Sequence, residues 1–525
     1  MNYLNLDKID VYKKLAEYAG KGFDFRSLLN ADRVSECIVP MAAGLKYSWA
    51  AKSVDDECLK LLQELADVTD SIPKYKALLN GEVMNTGEKR KVLHHLLRGE
   101  QGQPVIENGK NIGEFYRNEI TRFSGFAKAV HDGKYKGTTG KPFSTVIQIG
   151  IGGSDLGPRA LYLALENWAE KEGKKKLKAK FISNVDPDDA SNIITSSSLE
   201  ECLFILVSKS GTTQETLANE LFVKDKLKKA SLDPGRHMIA VTSETSPLAR
   251  NSAYLDSFYI DDYVGGRYSS SSAVGGCVLS LAFGPDVFKE FLDGAAEADK
   301  TALEGNILKN AALLDALIGV WERNFLNYPY TAVLPYSQAL SRFPAHLQQM
   351  DMESNGKRVN RFGESVSYET GPVIFGEPGT NGQHSFYQLL HQGTSVIPLQ
   401  FIGFTESQRS DDVSVDNSVS QTKLAANLAA QIVAFAKGQK AEDRNKEFPG
   451  GRPSSLIYGK RLTPSVLGSL LAHYENKVMF QGFIWNVNSF DQEGVQLGKI
   501  LTKKVLSGDY DDSALEAYGK ILGLV

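Results

Sequence analysis

From residue 144 onward, short and almost unbroken apolar runs alternate with stretches whose apolar residues recur at helical spacing, and few folds accept that pattern. The runs are STVIQIG (144–150), AKFISN (179–184), LFILVS (203–208), HMIAVT (237–242) and SFYID (257–261). Between them GPRALYLALENWAEK (157–171) and TQETLANELFVKDKLKK (213–229) read as helices. A strand that is apolar on both faces must be covered on both, which points to a parallel sheet flanked by helices. The alternation resumes at YTAVLPY (330–336), PVIFG (372–376) and SVIPLQFIGF (395–404). QTKLAANLAAQIVAFAKG (421–438) then reads as a helix stopping at glycine, and ILKNAALLDALIGVWERNF (307–325) as a helix joining the two units.

The remainder is less patterned. Residues 1–105 read as helical, with DDECLKLLQELADV (55–68) the clearest case and no strong strand. KGQKAEDRNKEFPGGRPSS (437–455) is polar and rich in Pro and Gly, as an exposed loop would be. A chain of 525 residues is too long for one simple core. The expectation is an α/β protein of two doubly wound units with helical additions at both ends. Residues 1–105 form a helical region packing on the large domain, 106–295 the first sheet domain, and 296–525 the second with C-terminal helices.

Charge and cysteine usage exclude several functions. A formal net charge of −4 argues against a general nucleic-acid surface, and the basic run KEGKKKLKAK (171–180) reads as a solvated connection. Cys37, Cys58, Cys202 and Cys277 are far apart and form no CxxC pair, which fits free thiols better than disulfides or a zinc site. MNYLNLDKIDVYKKL resembles neither a signal nor a transit peptide, and no run is apolar enough to span a membrane. The expected location is cytoplasmic, with no nucleic-acid or membrane partner.

In open parallel sheets ligands bind beyond the carboxyl ends of strands. After IQIG comes IGGSDLG (151–157), and after FILV comes SKSGTT (208–213). Both bring glycines and hydroxyls to a helix N-terminus, where free N–H groups favour an anion. Ser208, Ser210, Thr212 and Thr213 with Lys209 would suit a phosphate; capping of the helix by the same hydroxyls is the alternative. Neither GxGxxG nor GxxxxGK[ST] is present, which leaves a small phosphorylated metabolite as the expected ligand.

Four more segments stand out. In DDYVGGRYSSSS (261–272), Gly265 and Gly266 permit close backbone approach, and Arg267 suits either an oxyanion or a structural contact. MDMESNGK (350–357) offers Glu353 as a base or as an exposed helix-end glutamate. GEPGTNGQHSFYQLLHQG (376–393) sets His384 at the mouth of a helix and His391 two turns on. Without HxxxH, HxH or an acidic cluster, packing is favoured there over metal binding. FDQEGVQLGK (490–499) supplies Gln492 and Lys499, the latter indistinguishable by itself from a surface lysine.

Together these motifs, in this order, resemble the glucose-6-phosphate isomerase family over nearly the whole chain. The resemblance implies two sugar-isomerase (SIS) domains, assembly as a homodimer, and reversible aldose–ketose isomerisation of glucose 6-phosphate and fructose 6-phosphate in glycolysis and gluconeogenesis. It implies a cis-enediol intermediate and no cofactor or metal. It assigns Glu353 as the base, Arg267 as the stabiliser of the enediol charge, and His384 with Lys499 as the ring-opening pair. His384 would come from the neighbouring subunit, oriented by Glu215. Ser208, Lys209, Ser210 and Thr213 would hold the phosphate; Gly153, Ser154 and Gln492 would make other substrate contacts, with Gly266 in support.

The chain departs from the family pattern at four positions. Ser270 and Ser271 replace an apolar and aromatic pair after GGRYS, and Glu493 and Gln496 replace Trp and Glu in the C-terminal motif. None removes an implied catalytic residue; they bear on the packing around Arg267 and the placing of Lys499. Two other functions remain as alternatives, an isomerase of another sugar phosphate and a non-catalytic sugar-phosphate sensor. A sensor would need the phosphate cradle but has no use for Glu353, His384 and Lys499 together.

Overall fold

Every apolar run named above closes into a strand in the computed structural model, which describes residues 1–22 and 24–524. Along the chain the strands of the two large sheets are β1 (Ile38–Pro40), β2 (Lys46–Ser48), β3 (Thr145–Ile149), β4 (Lys178–Ile182), β5 (Cys202–Val207), β6 (Met238–Thr242) and β7 (Ser257–Tyr259). They continue with β8 (Tyr330–Pro335), β9 (Val373–Phe375), β10 (Leu399–Phe404) and β11 (Ser454–Gly459). The first sheet runs β7-β6-β5-β3-β4 and is parallel throughout. The second runs β1-β2-β11-β10-β8-β9, parallel from β11 to β9 and antiparallel at the β1-β2-β11 edge. Central strands such as β5 are buried along their whole length, as their unbroken apolar sequence requires.

The α/β reading therefore holds, with helices α1 (Leu156–Lys171) and α2 (Gln214–Lys229) following β3 and β5. Helices α3 (Pro285–Thr301) and α4 (Pro464–Ile484) pack so closely that glycine is required at their crossing. A Cβ on Gly468 would lie 1.9 Å from the Phe291 carbonyl oxygen, and one on Gly294 equally close to that of Ser465. Helix α4 is buried on all sides, which explains its weak amphipathic pattern.

Two expectations are corrected. Residues 1–105 are not purely helical: β1 and β2 extend the second sheet, with Tyr47 opposite Ile457. Three-residue strands are too short for alternation to be read. Ser454 and Ser455, assigned to the exposed loop, are buried and begin β11, because their hydroxyls mask an edge of the apolar signal.

Candidate active site

The order of the first sheet reverses between β3 and β5, so the chain leaves them in opposite directions and opens a crevice at their carboxyl ends. Residues 150–155 and 208–213 emerge there. In the second segment Ser208 Oγ donates to Thr213 Oγ1 at 3.2 Å and accepts from the Gly211 N–H at 3.1 Å. Ser210 Oγ accepts from the Thr212 N–H and hydroxyl at 3.2 and 2.9 Å. Thr213 stands at the N-cap of α2, yet its side chain makes no cap bond. The capping alternative therefore fails at Thr213, and α2 keeps N–H groups for an anion. Lys209 Nζ donates to the Val264 carbonyl at 3.3 Å and lies 3.6 Å from Asp262.

The first segment is built for close approach. Gly153 packs directly on the Gly266 backbone, which leaves no room for a side chain and sets the position of Arg267. Ser154, partly buried, closes the short helical turn Gly152–Ser154 before α1.

Arg267 is 1% exposed and every N–H of its guanidinium is engaged. Nη1 donates to Glu353 Oε2 at 3.0 Å and to Gln492 Oε1 at 3.2 Å, and Nη2 to the Ser489 and Asp491 carbonyls at 2.8 and 2.9 Å. Glu353 closes a π-helical turn, Gln349–Glu353, and keeps 24% of its side chain in contact with solvent. A π turn inserts a residue and re-aims those that follow, a device common at functional sites. Glu353, Gln349, Arg361, Asp491 and Gln492 line one cavity of about 910 Å³, the size range of small-molecule sites.

The other residues singled out from sequence lie elsewhere. His384 is exposed and lines a second cavity of about 850 Å³ with Gln383, Asp411 and Asp412, apart from Glu353. Lys499 is exposed on helix α5 (Gln496–Ser507) and, like Glu215, makes no side-chain hydrogen bond or ion pair among the described residues. His391 stacks on Phe435 at 3.7 Å and shares a 2.9 Å hydrogen bond with Gln431, the packed role rather than that of a ligand. Among the described residues no cluster of three or more His, Cys, Asp or Glu is arranged to hold a metal, and no helix is long and apolar enough to cross a membrane.

Sequence reasoning passed over Lys357 and Asp491, an ion pair at 2.5 Å that ties the segment after Glu353 to the loop clamping Arg267. Both lie inside motifs already noted, MDMESNGK and FDQEGVQLGK, and proximity to Glu353 and Gln492 was the available signal.

The sequence model of the phosphoglucose isomerase family matches residues 47–519. The chain belongs to the phosphoglucose isomerase family. It is 60% identical to the glucose-6-phosphate isomerase of Treponema denticola over 99% of this chain and 100% of that one. It is 47% identical to that of Borreliella afzelii, over 99% of each chain. The crystal structure of a glucose-6-phosphate isomerase from Chlamydia trachomatis superposes with a TM-score of 0.93 at 40% identity, covering 99% of this chain and 100% of that one.

Against the phosphoglucose isomerase pattern, the two serines after GGRYS are fully accommodated. Ser271 Oγ accepts from Arg98 Nε at 3.2 Å, and Arg98 in turn pairs with Asp299 and Glu475, all buried. Ser270 is buried against Gly157. Polar packing thus stands where the family usually places an apolar and aromatic pair. Glu493 is exposed at the start of the turn Glu493–Val495, and Gln496 begins α5, so the chain still carries Lys499 into a helix.

Proposed function

We propose that the chain catalyses the reversible interconversion of glucose 6-phosphate and fructose 6-phosphate, in glycolysis and gluconeogenesis, through a cis-enediol and without metal or organic cofactor. The observation that carries this reading is the 3.0 Å pairing of Glu353 with a fully clamped Arg267 at the wall of a substrate-sized cavity. Moving a carbonyl between C1 and C2 needs one base to lift a proton from one carbon and return it to the other. Glu353 does this, and Arg267, which stays charged, holds the developing enediolate without competing for the proton. Ser208, Lys209, Ser210 and Thr213 hold the phosphate, while Gly153, Ser154 and Gln492 complete the contacts and Gly266 lets the backbone approach.

His384 and Lys499 open the sugar ring, with Glu215 orienting the histidine. Because His384 and Glu353 line separate cavities of one chain, the histidine is taken from the second subunit of a homodimer. The enzyme acts in the cytoplasm.

The test is turnover of fructose 6-phosphate with chelator present, for wild type and Glu353→Gln together. Chelator-resistant activity that falls at least ~10²-fold in the variant is expected. A folded wild type that converts only mannose 6-phosphate or an amino-sugar phosphate would replace the substrate, and one that binds without turnover would replace the enzyme by a sensor.

A further inference from the structure

We propose that Tyr268 and Ser354 form a latch that fixes Arg267 against the backbone carrying Glu353, and that this latch acts on the chemical step and not on substrate binding. The proposal rests on the roles of base and oxyanion stabiliser given above.

Arg267 and Tyr268 are neighbours in one segment; Glu353 and Ser354 are neighbours in another. Each segment therefore contributes one charged and one hydroxyl residue, and the two pairs bond in parallel. Arg267 Nη1 reaches Glu353 at 3.0 Å, and the Tyr268 and Ser354 hydroxyls meet at 2.9 Å. A diagonal completes the figure: Arg267 Nε donates to Ser354 Oγ at 2.7 Å. Tyr268 is 1% exposed and Ser354 0%, so no bulk water can substitute for a lost partner. The ring of Tyr268 is held from behind by His94, stacked at 4.8 Å, and by Phe490 at 5.8 Å.

A hydroxyl has one proton and two lone pairs. Ser354 Oγ spends one lone pair on Nε and meets Tyr268 with what remains, whichever of the two hydroxyls donates. The rear of the guanidinium is then immobile, with Nε on Ser354 and Nη2 on two carbonyls. Nη1 faces the partly open side, where its bonds to Glu353 and Gln492 can yield to a developing oxyanion. Stabilisation of that kind depends on the donor being aimed before charge appears. The bound sugar carries no charge at that oxygen until the proton moves. A loosened donor therefore costs rate and leaves ground-state affinity intact.

The experiment compares Tyr268→Phe, Ser354→Ala, their combination and Arg267→Lys in the full-length protein. Tyr268→Phe keeps the ring and its stacking and deletes only the hydroxyl. Expected are a kcat loss of ~10-fold in each single latch variant with KM within ~2-fold of wild type, and a larger loss in Arg267→Lys. The double variant should lose no more than Ser354→Ala alone, because that change already removes the single link that Tyr268→Phe breaks. Should Ser354→Ala fail to fold, Tyr268→Phe decides alone. Wild-type kcat in Tyr268→Phe beside an impaired Arg267→Lys overturns the latch while leaving the mechanism standing, as would a loss confined to KM or a multiplicative double loss. Full activity in Arg267→Lys would remove the oxyanion role itself, and the latch with it.

Discussion

Gly153 and Gly266 meet backbone to backbone: a Cβ on Gly153 would stand 2.2 Å from the Gly266 carbonyl oxygen, whereas a Cβ on Gly266 would meet nothing within 4 Å. One glycine is thus needed for packing and the other is not. Gly153→Ala must push the Gly266–Arg267 backbone aside, and a displacement on the order of 1 Å can cost ~10²-fold in rate. Steady-state kinetics should show that loss in kcat/KM. Gly266→Ala should melt within a few degrees of wild type by calorimetry, so any loss of its activity would report on the space left for substrate.

The free N-terminus of α2 makes a second expectation. Ser210→Ala combined with Thr213→Ala removes hydroxyls that make no contribution to capping the helix through Thr213. KM should rise ~10-fold or more with kcat little changed, and inhibition by inorganic phosphate should weaken in step. An unchanged KM with unaltered phosphate inhibition would place the substrate phosphate at another loop.

A shared active site can be tested by mixing inactive chains. In the proposed homodimer, His384→Ala and Glu353→Gln subunits refolded together should form heterodimers in which one site holds both intact residues. Random pairing in a two-fold dimer then restores roughly a quarter of wild-type turnover from two nearly dead parents. Activity equal to the mean of the parents would put the histidine and the base of each site on one chain.

The sheets were legible because the strands of each α/β unit are buried on both faces and so declare themselves as apolar runs. Strands of three residues, such as Ile38–Pro40, carry too few positions for any period, and Ser454 begins its strand with a polar residue that is nonetheless buried. Around the candidate site, the residues proposed to meet substrate or move protons were singled out from their motifs. Those that only hold other side chains were not: Asp491 and Ser354 are ordinary polar residues until the chain brings residues 267, 354 and 491 together. The buried Arg98 cluster was equally invisible, since its members are spread over residues 98, 271, 299 and 475.

That cluster sets a stability expectation. Arg98 is the cation facing Asp299 and Glu475, and burial pushes Glu475 up to about 7 despite its pairing with Arg98. Arg98→Met leaves both carboxyl groups buried without a counter-charge, which should cost about 3–5 kcal/mol in urea unfolding at neutral pH. Ser271→Ala removes one acceptor from Arg98 Nε and should cost about 1–3 kcal/mol. A neutral result for Arg98→Met would mean that the two carboxyl groups are already protonated in the folded protein.

Asp351 makes the same physics visible in pH. It is buried within the turn that carries Glu353, its Oδ1 has no partner among the described residues, and burial raises its carboxyl to about 7 against the attraction of Lys477. An unfolded aspartate titrates near ~3.9, so between that value and about 7 the folded chain holds a proton that the unfolded chain has released. This contribution to stability is complete below the unfolded value and is lost as pH rises through the folded one. Asp351→Asn keeps the uncharged shape at every pH. Its melting temperature relative to wild type should therefore be higher at pH 8 than at pH 5. A difference between the two proteins that does not change over that range would mean that Asp351 does not titrate there, and that Lys477 holds it ionised.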